Sequence, residues 1–406
     1  MNILLVNTTY RGGGAEKVTR QLLHGFDNSN INMHLIVGRG EPDDKRYEII
    51  YDKKIPYFFS RVYGKLAPYR KYDRYAAARI LETIDKYKID IVHLQNIHGN
   101  YMGIEDIARI SEKCRVIWTL HDMWALTGHC AHAFDCTKWI EGNCSHCPKP
   151  ETYPGIRTDV ADKMLSSKKT SFAGKNIVFV SPSEWLKDRF YESFLKNEHI
   201  EVINNGIDVD FYAPQIHSVL REKYNIPADK HVILFAASNL NSQFRSFRHL
   251  LEALKYIPNK SDYCLVVLGN CDSEVSFNRE FSVFQMGYVA DEDKMKDLYA
   301  LSDIYITPSL ADNFPCTTVE SFACGTPVIA FASGGLNEQI DSKTGWLVTP
   351  GDSKALAYAI IDAFSDAERL KAMSLECRIK AVNMYSEKTM LNSYKELYEK
   401  VFKGEL

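Results

Sequence analysis

The chain is 406 residues long, more than one hydrophobic core usually organises, so two domains of roughly 200 residues are expected. Hydrophobic residues make up 45%, charged residues 25%, and 49 basic against 52 acidic side chains leave a net charge of −3, which excludes a disordered, collagenous or polyanion-binding chain. No window approaches the roughly 20 uninterrupted apolar residues of a membrane span.

The opening "MNILLVNTTYRGGG" lacks the basic start of a signal peptide and turns polar early, so it reads as a first strand and a cytoplasmic location is expected. Short apolar, β-branched runs then alternate with longer amphipathic ones, the pattern of βαβ units around a parallel sheet. In the first half the expected strands are Ile3–Asn7, Met33–Val37, Ile91–Gln95, Arg115–Leu120 and Ile177–Ser181. In the second half they are Val232–Ser238, Tyr263–Gly269, Phe284–Val289, Ile304–Ser309 and Pro327–Phe331. Each half is a complete doubly wound α/β pattern. The turn-rich "INNGIDVDFYAPQ" from Ile203 to Gln215 is the natural boundary between them.

Ligands of open parallel sheets sit at the carboxyl ends of strands, so the loops after strands are where chemistry is expected. After the first strand, "RGGGAEKVTRQLL" places Gly13 and Gly14 at the start of a helix, where bare backbone and free amides suit an anion. A plain flexible turn explains three glycines equally well, and the spacing is neither the dinucleotide fingerprint nor a P-loop. In "DNFPCTTVESFACGTPVIA", Pro315 suits the first helical position and Gly325 with Pro327 stops a helix running from about Pro315 to Cys324. Asp312 precedes its free amides, and Glu320 lies roughly 7.5 Å along it. A diphosphate at that N-terminus would lie between two carboxylates able to accept hydroxyl hydrogen bonds. Taken alone, Glu320 is equally well read as a solvated helix residue.

These residues resemble the retaining glycosyltransferases of family 4, which have the GT-B fold of two facing Rossmann-like domains. The resemblance extends over nearly the whole chain, through the "GGGA" loop, "TLHD" with His121, "SPSEWLKDRF", "NNGID", Asp312 to Glu320 with "CGTPVIA", and the final helix "SEKTMLNSYKELYEKVF". It implies an acceptor-side domain over 1–203, a nucleotide-sugar domain over 204–385, and a helix over 386–406 that returns to the first domain. Glu320 would hold the ribose hydroxyls, and Asp312 with the amides after Asn313 the donor sugar, which makes Asn313, Phe314, Pro315, Cys316 and Thr317 donor-binding residues. His121 would contact the donor sugar near the reacting carbon; a histidine at a strand end is otherwise a satisfied core group. The family usually has Glu at the position of Asp312, and an Arg followed by a Lys against the diphosphate. Here "AASNLNSQFRSFRHL" offers Arg245 for the lysine and Arg248 as a second cation, a change guanidinium tolerates because it grips phosphate bidentately. The implied reaction is transfer of a sugar from a nucleotide-diphosphate donor to a glycan, in particular a lipid-linked one in surface polysaccharide assembly, with retention and without a catalytic metal. A non-catalytic GT-B partner subunit is the alternative that Asp312 and the altered phosphate loop keep open.

Two segments fall outside that pattern. "YFFSRVYGKLAPYRKYDRYAAARI", Tyr57 to Ile80, mixes aromatics with basic residues, as either a solvated helix or a patch for anionic membrane headgroups or a lipid diphosphate. "GHCAHAFDCTKWIEGNCSHCP" brings Cys130, Cys136, Cys144 and Cys147 into one loop, closing with a Cys-x-x-Cys half-site common in tetrahedral zinc. A structural zinc is one expectation, with His129, His132 or His146 able to replace a thiol, and a set of reduced buried cysteines or late disulfides is the other.

Overall fold

A computed structural model describes residues 1–40, 47–51, 75–99, 101–240, 247–270 and 280–406. The chain divides into two compact units: Met1–Asn204 joined by Met390–Leu406, and Asn205–Thr389.

In the first unit, seven strands form a sheet whose described pairings are all parallel: β1 (Asn2–Asn7), β2 (Asn32–Val37), β3 (Tyr47–Ile49), β4 (Ile91–Leu94), β5 (Arg115–Thr119), β6 (Ile177–Ser181) and β7 (Ile200–Val202), in the order β3-β2-β1-β4-β5-β6-β7. A parallel sheet is covered on both faces, which is why its strands read as apolar runs rather than alternating ones. On β1, Leu4 and Val6 join a core with Ile80, Ile84, Ile107 and Ile110 of the helices Tyr75–Tyr87 and Ile104–Lys113. Ile3 and Leu5 face the other way, onto Val18 and Leu22 of the helix Gly14–Gly25 and Tyr394, Leu397 and Tyr398 of the last helix, Glu387–Lys403.

The second unit has a six-stranded sheet with the same logic: β8 (His231–Asn239), β9 (Tyr263–Asn270), β10 (Ser282–Gly287), β11 (Ile304–Thr307), β12 (Val328–Phe331) and β13 (Gly345–Val348), again parallel, in the order β10-β9-β8-β11-β12-β13. Leu234, Val266, Tyr305 and Val328 meet Leu298, Val319 and Phe322 on one face. Ile233, Phe235, Leu265 and Ile329 meet Leu250, Leu356 and Ile360 on the other.

Three strands escape the sequence reading: β3, β7 and β13, each of three or four residues and each at or next to a sheet edge, where half the pairing and burial that mark a strand are missing. The expected strand ends also shift. β11 stops at Thr307 because Pro308 has no amide to donate to a ladder, and β10 ends at Gly287, whose φ of 65° takes the chain out of the extended region.

Candidate functional site

In each sheet the strand order reverses direction at one place, between β1 and β4 in the first unit and between β8 and β11 in the second. Such switch points open a crevice at the carboxyl ends of the strands. The glycine loop, His121 and the helix after β11 follow strands at or next to these two places.

In the first unit, Asn7 ends β1 and Gly13 precedes the helix Gly14–Gly25 without any side-chain cap. The loop between is tied across the switch point: the Thr8 hydroxyl is 3.0 Å from the carbonyl oxygens of both Asn96 and His98, just past β4. Gly12, Gly13 and Gly14 are exposed. One strand further along, His121 follows β5. Its Nε2–H donates to Gln95 Oε1 at 2.7 Å, and the Gln95 amide nitrogen in turn donates to Nε2 of the fully buried His93 at 2.9 Å. His93 Nδ1 is 2.8 Å from the Tyr398 hydroxyl, and Thr119, itself 2.9 Å from the Tyr394 hydroxyl, is 2.8 Å from His93 Nε2. A buried polar chain thus runs from His121 to the last helix. Burial, and then repulsion from His121, push His93 down to about 3. Burial likewise lowers His121 to about 4, the attraction of Asp122 opposing it. Both imidazoles are therefore neutral at physiological pH. Asp122 does not bond His121; its Oδ2 takes His98 Nε2 at 2.7 Å and its Oδ1 the Trp124 amide at 2.8 Å. Burial alone would raise Asp122, but the charge and hydrogen bond of His98 hold it below the usual carboxylate range.

In the second unit the helix after β11 runs Cys316–Ala323, with Pro315 (φ −65°, ψ 122°) as its N-cap rather than its first residue. Its end is a Schellman closure: Thr326 N–H reaches Ser321 O at 2.9 Å and Gly325 N–H reaches Phe322 O at 2.9 Å, with Gly325 at φ 78°. Side-chain amides fix the entry. Asn205 donates to Phe314 O at 3.0 Å and Gln339 to Pro315 O at 3.3 Å, and the Thr318 N–H closes the first turn onto Pro315 O at 3.2 Å. Asn313, Phe314 and Cys316 are buried and Asp312 and Thr317 partly so. Asp312 is held by its backbone: its carbonyl accepts from Gly335 N at 3.2 Å, and Gly334, at φ 56°, passes so close that an added Cβ would stand 1.8 Å from that oxygen. Only glycine fits there.

Glu320 is 7% exposed, which removes the reading of a solvated helix residue. It neighbours the Tyr299 hydroxyl; burial first, and then the Glu320 charge, raise Tyr299 well above its ordinary value. Among the described residues, the buried hydroxyl oxygens of Thr317 and Thr318 have no hydrogen-bond partner, so the first turn holds polar atoms whose bonding capacity is unused. Arg378 donates from Nη1 to the carbonyls of Val209 (2.8 Å), Tyr212 (2.8 Å) and Ala323 (2.9 Å), fixing the far end of the same helix. Arg248 is exposed on the helix Phe247–Ala253 that follows β8, the strand beside β11. Arg245 lies outside the described residues, as does most of the basic aromatic segment, 57–74.

The cysteine loop occupies the first unit. Cys130, Cys136, Cys144 and Cys147 are free thiols. They do not gather on one point by themselves: among the described residues no group of three or more His, Cys, Asp or Glu side chains already forms a metal-ligand set. The group that two of them approach is His129, whose Nε2 is 3.4 Å from Cys147 Sγ and 3.7 Å from Cys130 Sγ. Burial, followed by Cys147, Cys144 and Cys136, pushes the Cys130 thiol up to about 12. His132 is partly buried and His146 exposed.

Gln95, Thr318 and Gly334 were not singled out from the sequence. "VHLQ" carried a signal for the first, since two polar residues inside an apolar strand need partners when buried.

Comparison with known proteins agrees with this geometry. A model described as Glycosyltransferase Family 4 matches residues 12–211 and one described as Glycosyl transferases group 1 matches 230–366, together most of the chain. WcaC of Escherichia coli K12, named for colanic acid biosynthesis, is 24% identical over 98% of this chain and 100% of its own length. The lipopolysaccharide 1,2-N-acetylglucosaminetransferase of Salmonella typhimurium LT2 is 30% identical over 47% of this chain and 54% of its own. Among solved structures, sucrose-phosphate synthase of Thermosynechococcus elongatus superposes with a TM-score of 0.77 at 17% identity over 100% of both chains. Anabaena HepE with UDP-glucose does so at 0.69 and 16% identity, over 98% of this chain and 100% of its own. The chain is a glycosyltransferase of family 4, with the GT-B fold.

Proposed function

We propose that this enzyme transfers a hexosyl group from a nucleoside-diphosphate sugar to a glycan acceptor carried on a lipid, during surface polysaccharide assembly, with retention of anomeric configuration. The observation that carries the donor site is the helix Cys316–Ala323, with a buried carboxylate at Glu320 and two threonine hydroxyls, at 317 and 318, lacking partners among the described residues. A diphosphate suits the first-turn amides. Glu320 accepts from the two ribose hydroxyls, and Asp312 from hydroxyls of the donor sugar.

In the reaction the bond from the anomeric carbon to the diphosphate oxygen breaks and the acceptor hydroxyl oxygen bonds that carbon, its proton passing to the departing diphosphate. The helix amides with Arg248 and Arg245 stabilise the charge that develops there. His121, neutral and oriented by Gln95, hydrogen-bonds the donor sugar near the reacting carbon. Gly13 and Gly14, with exposed backbone, leave room for the donor or acceptor to approach. HepE, solved with UDP-glucose, supports a nucleotide sugar as donor; the names of WcaC and the Salmonella transferase support a surface-glycan acceptor. Among the described residues no helix is long and apolar enough to cross a membrane, so a lipid-linked acceptor would be met at the bilayer surface.

The test is a panel of nucleotide sugars incubated with the enzyme without acceptor, with release of nucleoside diphosphate as readout. Slow hydrolysis of one donor class, abolished by Asp312→Ala, is expected. A folded protein that hydrolyses none and whose melting temperature no nucleoside diphosphate raises contradicts the proposal and fits the non-catalytic partner subunit instead. The anomer of the first product, read by proton NMR with a matched acceptor, decides retention.

A further inference from the structure

Between β5, which ends at Thr119, and the helix Ala161–Phe172, the chain forms neither helix nor strand. Compact domains rarely hold so long an irregular segment without a device that orders it. Here each cysteine backbone is already fixed, Cys130 O by the Thr127 hydroxyl at 2.7 Å. Trp139 Nε1 donates to Cys136 O at 2.9 Å, Cys144 N to Asp162 Oδ1 at 3.1 Å, and Cys147 N to Asp159 Oδ2 at 2.9 Å.

At the centre stands His129, 1% exposed. Its Nδ1 is 3.2 Å from Pro154 O; a carbonyl only accepts, so Nδ1 carries the proton and Nε2 presents its lone pair. This arrangement, one ring nitrogen donating to a carbonyl, is the one that orients metal-bound histidines. The lone pair is directed at sulfur, with Cys147 Sγ at 3.4 Å and Cys130 Sγ at 3.7 Å. In tetrahedral zinc, with Zn–S of about 2.3 Å and Zn–N of about 2.05 Å, the edge between a nitrogen and a sulfur ligand is about 3.55 Å. The two observed separations bracket that value.

A buried lysine anchors the start of the same loop. Lys168 is fully buried; its Nζ lies 3.5 Å from the centre of the Trp124 ring and donates to the carbonyls of Trp124, Thr127 (3.0 Å) and Gly128 (3.2 Å). Burial pushes Lys168 well below its ordinary value, the neighbouring Asp122, Cys130 and Cys144 opposing it.

We propose that this loop binds one structural zinc ion through Nε2 of His129 and the sulfurs of Cys130, Cys144 and Cys147, with Cys136 outside the coordination sphere. Zinc draws Cys144, the partner of Cys147 in the Cys-x-x-Cys half-site, onto the edge that His129, Cys130 and Cys147 outline, and so orders the segment that carries His121 and Asp122 at its start.

The full-length protein, purified from zinc-supplemented cells without chelator, should contain about one zinc per chain by elemental analysis. X-ray absorption should fit three sulfurs near 2.3 Å and one nitrogen near 2.0 Å. Exchange with cobalt alone should give a thiolate-to-cobalt charge-transfer band, lost in Cys144→Ser and retained in Cys136→Ser. If Cys144→Ser does not fold, thiol labelling of the wild type replaces it: at least three cysteines should react only after chelation. Less than about 0.1 zinc per chain with no cobalt band overturns the site. A four-sulfur shell, or loss of the cobalt band in Cys136→Ser, overturns the place given to His129.

Discussion

Replacing His93 by Gln tests the buried polar chain behind His121. The folded protein holds His93 at about 3 because of burial and then His121, whereas the unfolded chain takes up the proton near pH 6.5. Stability contributed by the neutral ring is complete above that pH and is lost as pH falls towards the folded value. Between pH 7 and pH 5 a group with these two values costs the fold about 2 kcal/mol. His121, held at about 4, adds a similar amount. Glutamine removes the titration but not all the hydrogen bonding, so at pH 7 the variant should be about 1–3 kcal/mol less stable than wild type. At pH 5 that gap should shrink by about 2 kcal/mol. Urea unfolding followed by tryptophan fluorescence is a suitable assay, because Trp118, Trp124, Trp139 and Trp185 lie in the first unit and only Trp346 in the second. Trp118 is buried and donates to Gln95 O at 3.1 Å. An identical gap at both pH values would refute the assignment of His93 as a neutral buried base.

Gly334→Ala should cost about 2 kcal/mol or more and weaken donor binding, since its φ of 56° is strained for alanine and the methyl meets Asp312 O; wild-type melting and donor affinity would contradict this. Arg378→Ala should lower stability by about 3 kcal/mol, as three carbonyls lose a charged donor, read as a lower urea midpoint for the second unit. His121→Ala should reduce kcat more than it raises KM, the pattern of a group acting near the reacting carbon; wild-type turnover in the folded variant would remove that role.

Much of the fold was legible because a parallel sheet buried on both faces leaves uninterrupted apolar runs, as in "ILLV" of β1 and "CLVVL" of β9. The short outer strands β3, β7 and β13 left no comparable run. At the site, "DNFPCTTVE" announced a capped helix with an acid on it, but whether Glu320 faced water or protein depended on Tyr299, twenty-one residues earlier in the chain. Gln95, bridging His93 and His121, and Gly334, pressed against Asp312, matter through contacts between separate strand ends. The polar pair in "VHLQ" showed that Gln95 needs a partner, but no local pattern names His121 or Asp312 as the distant one. The cysteine spacing suggested a metal with His129, His132 or His146 in place of a thiol, but which histidine meets the sulfurs depended on the fold, which sets Pro154 O against the His129 ring.

The most direct test of the donor site is calorimetric titration of wild type and Glu320→Gln with a panel of nucleoside diphosphates. Wild type should bind one of them, and Glu320→Gln should bind it about tenfold more weakly, because an amide replaces a carboxylate that accepts from two hydroxyls. Its ligand-free melting temperature should stay close to wild type, the side chain being nearly isosteric. Unchanged affinity in the variant, or no nucleoside diphosphate bound by a folded wild type, would contradict the placement of the donor on the helix Cys316–Ala323.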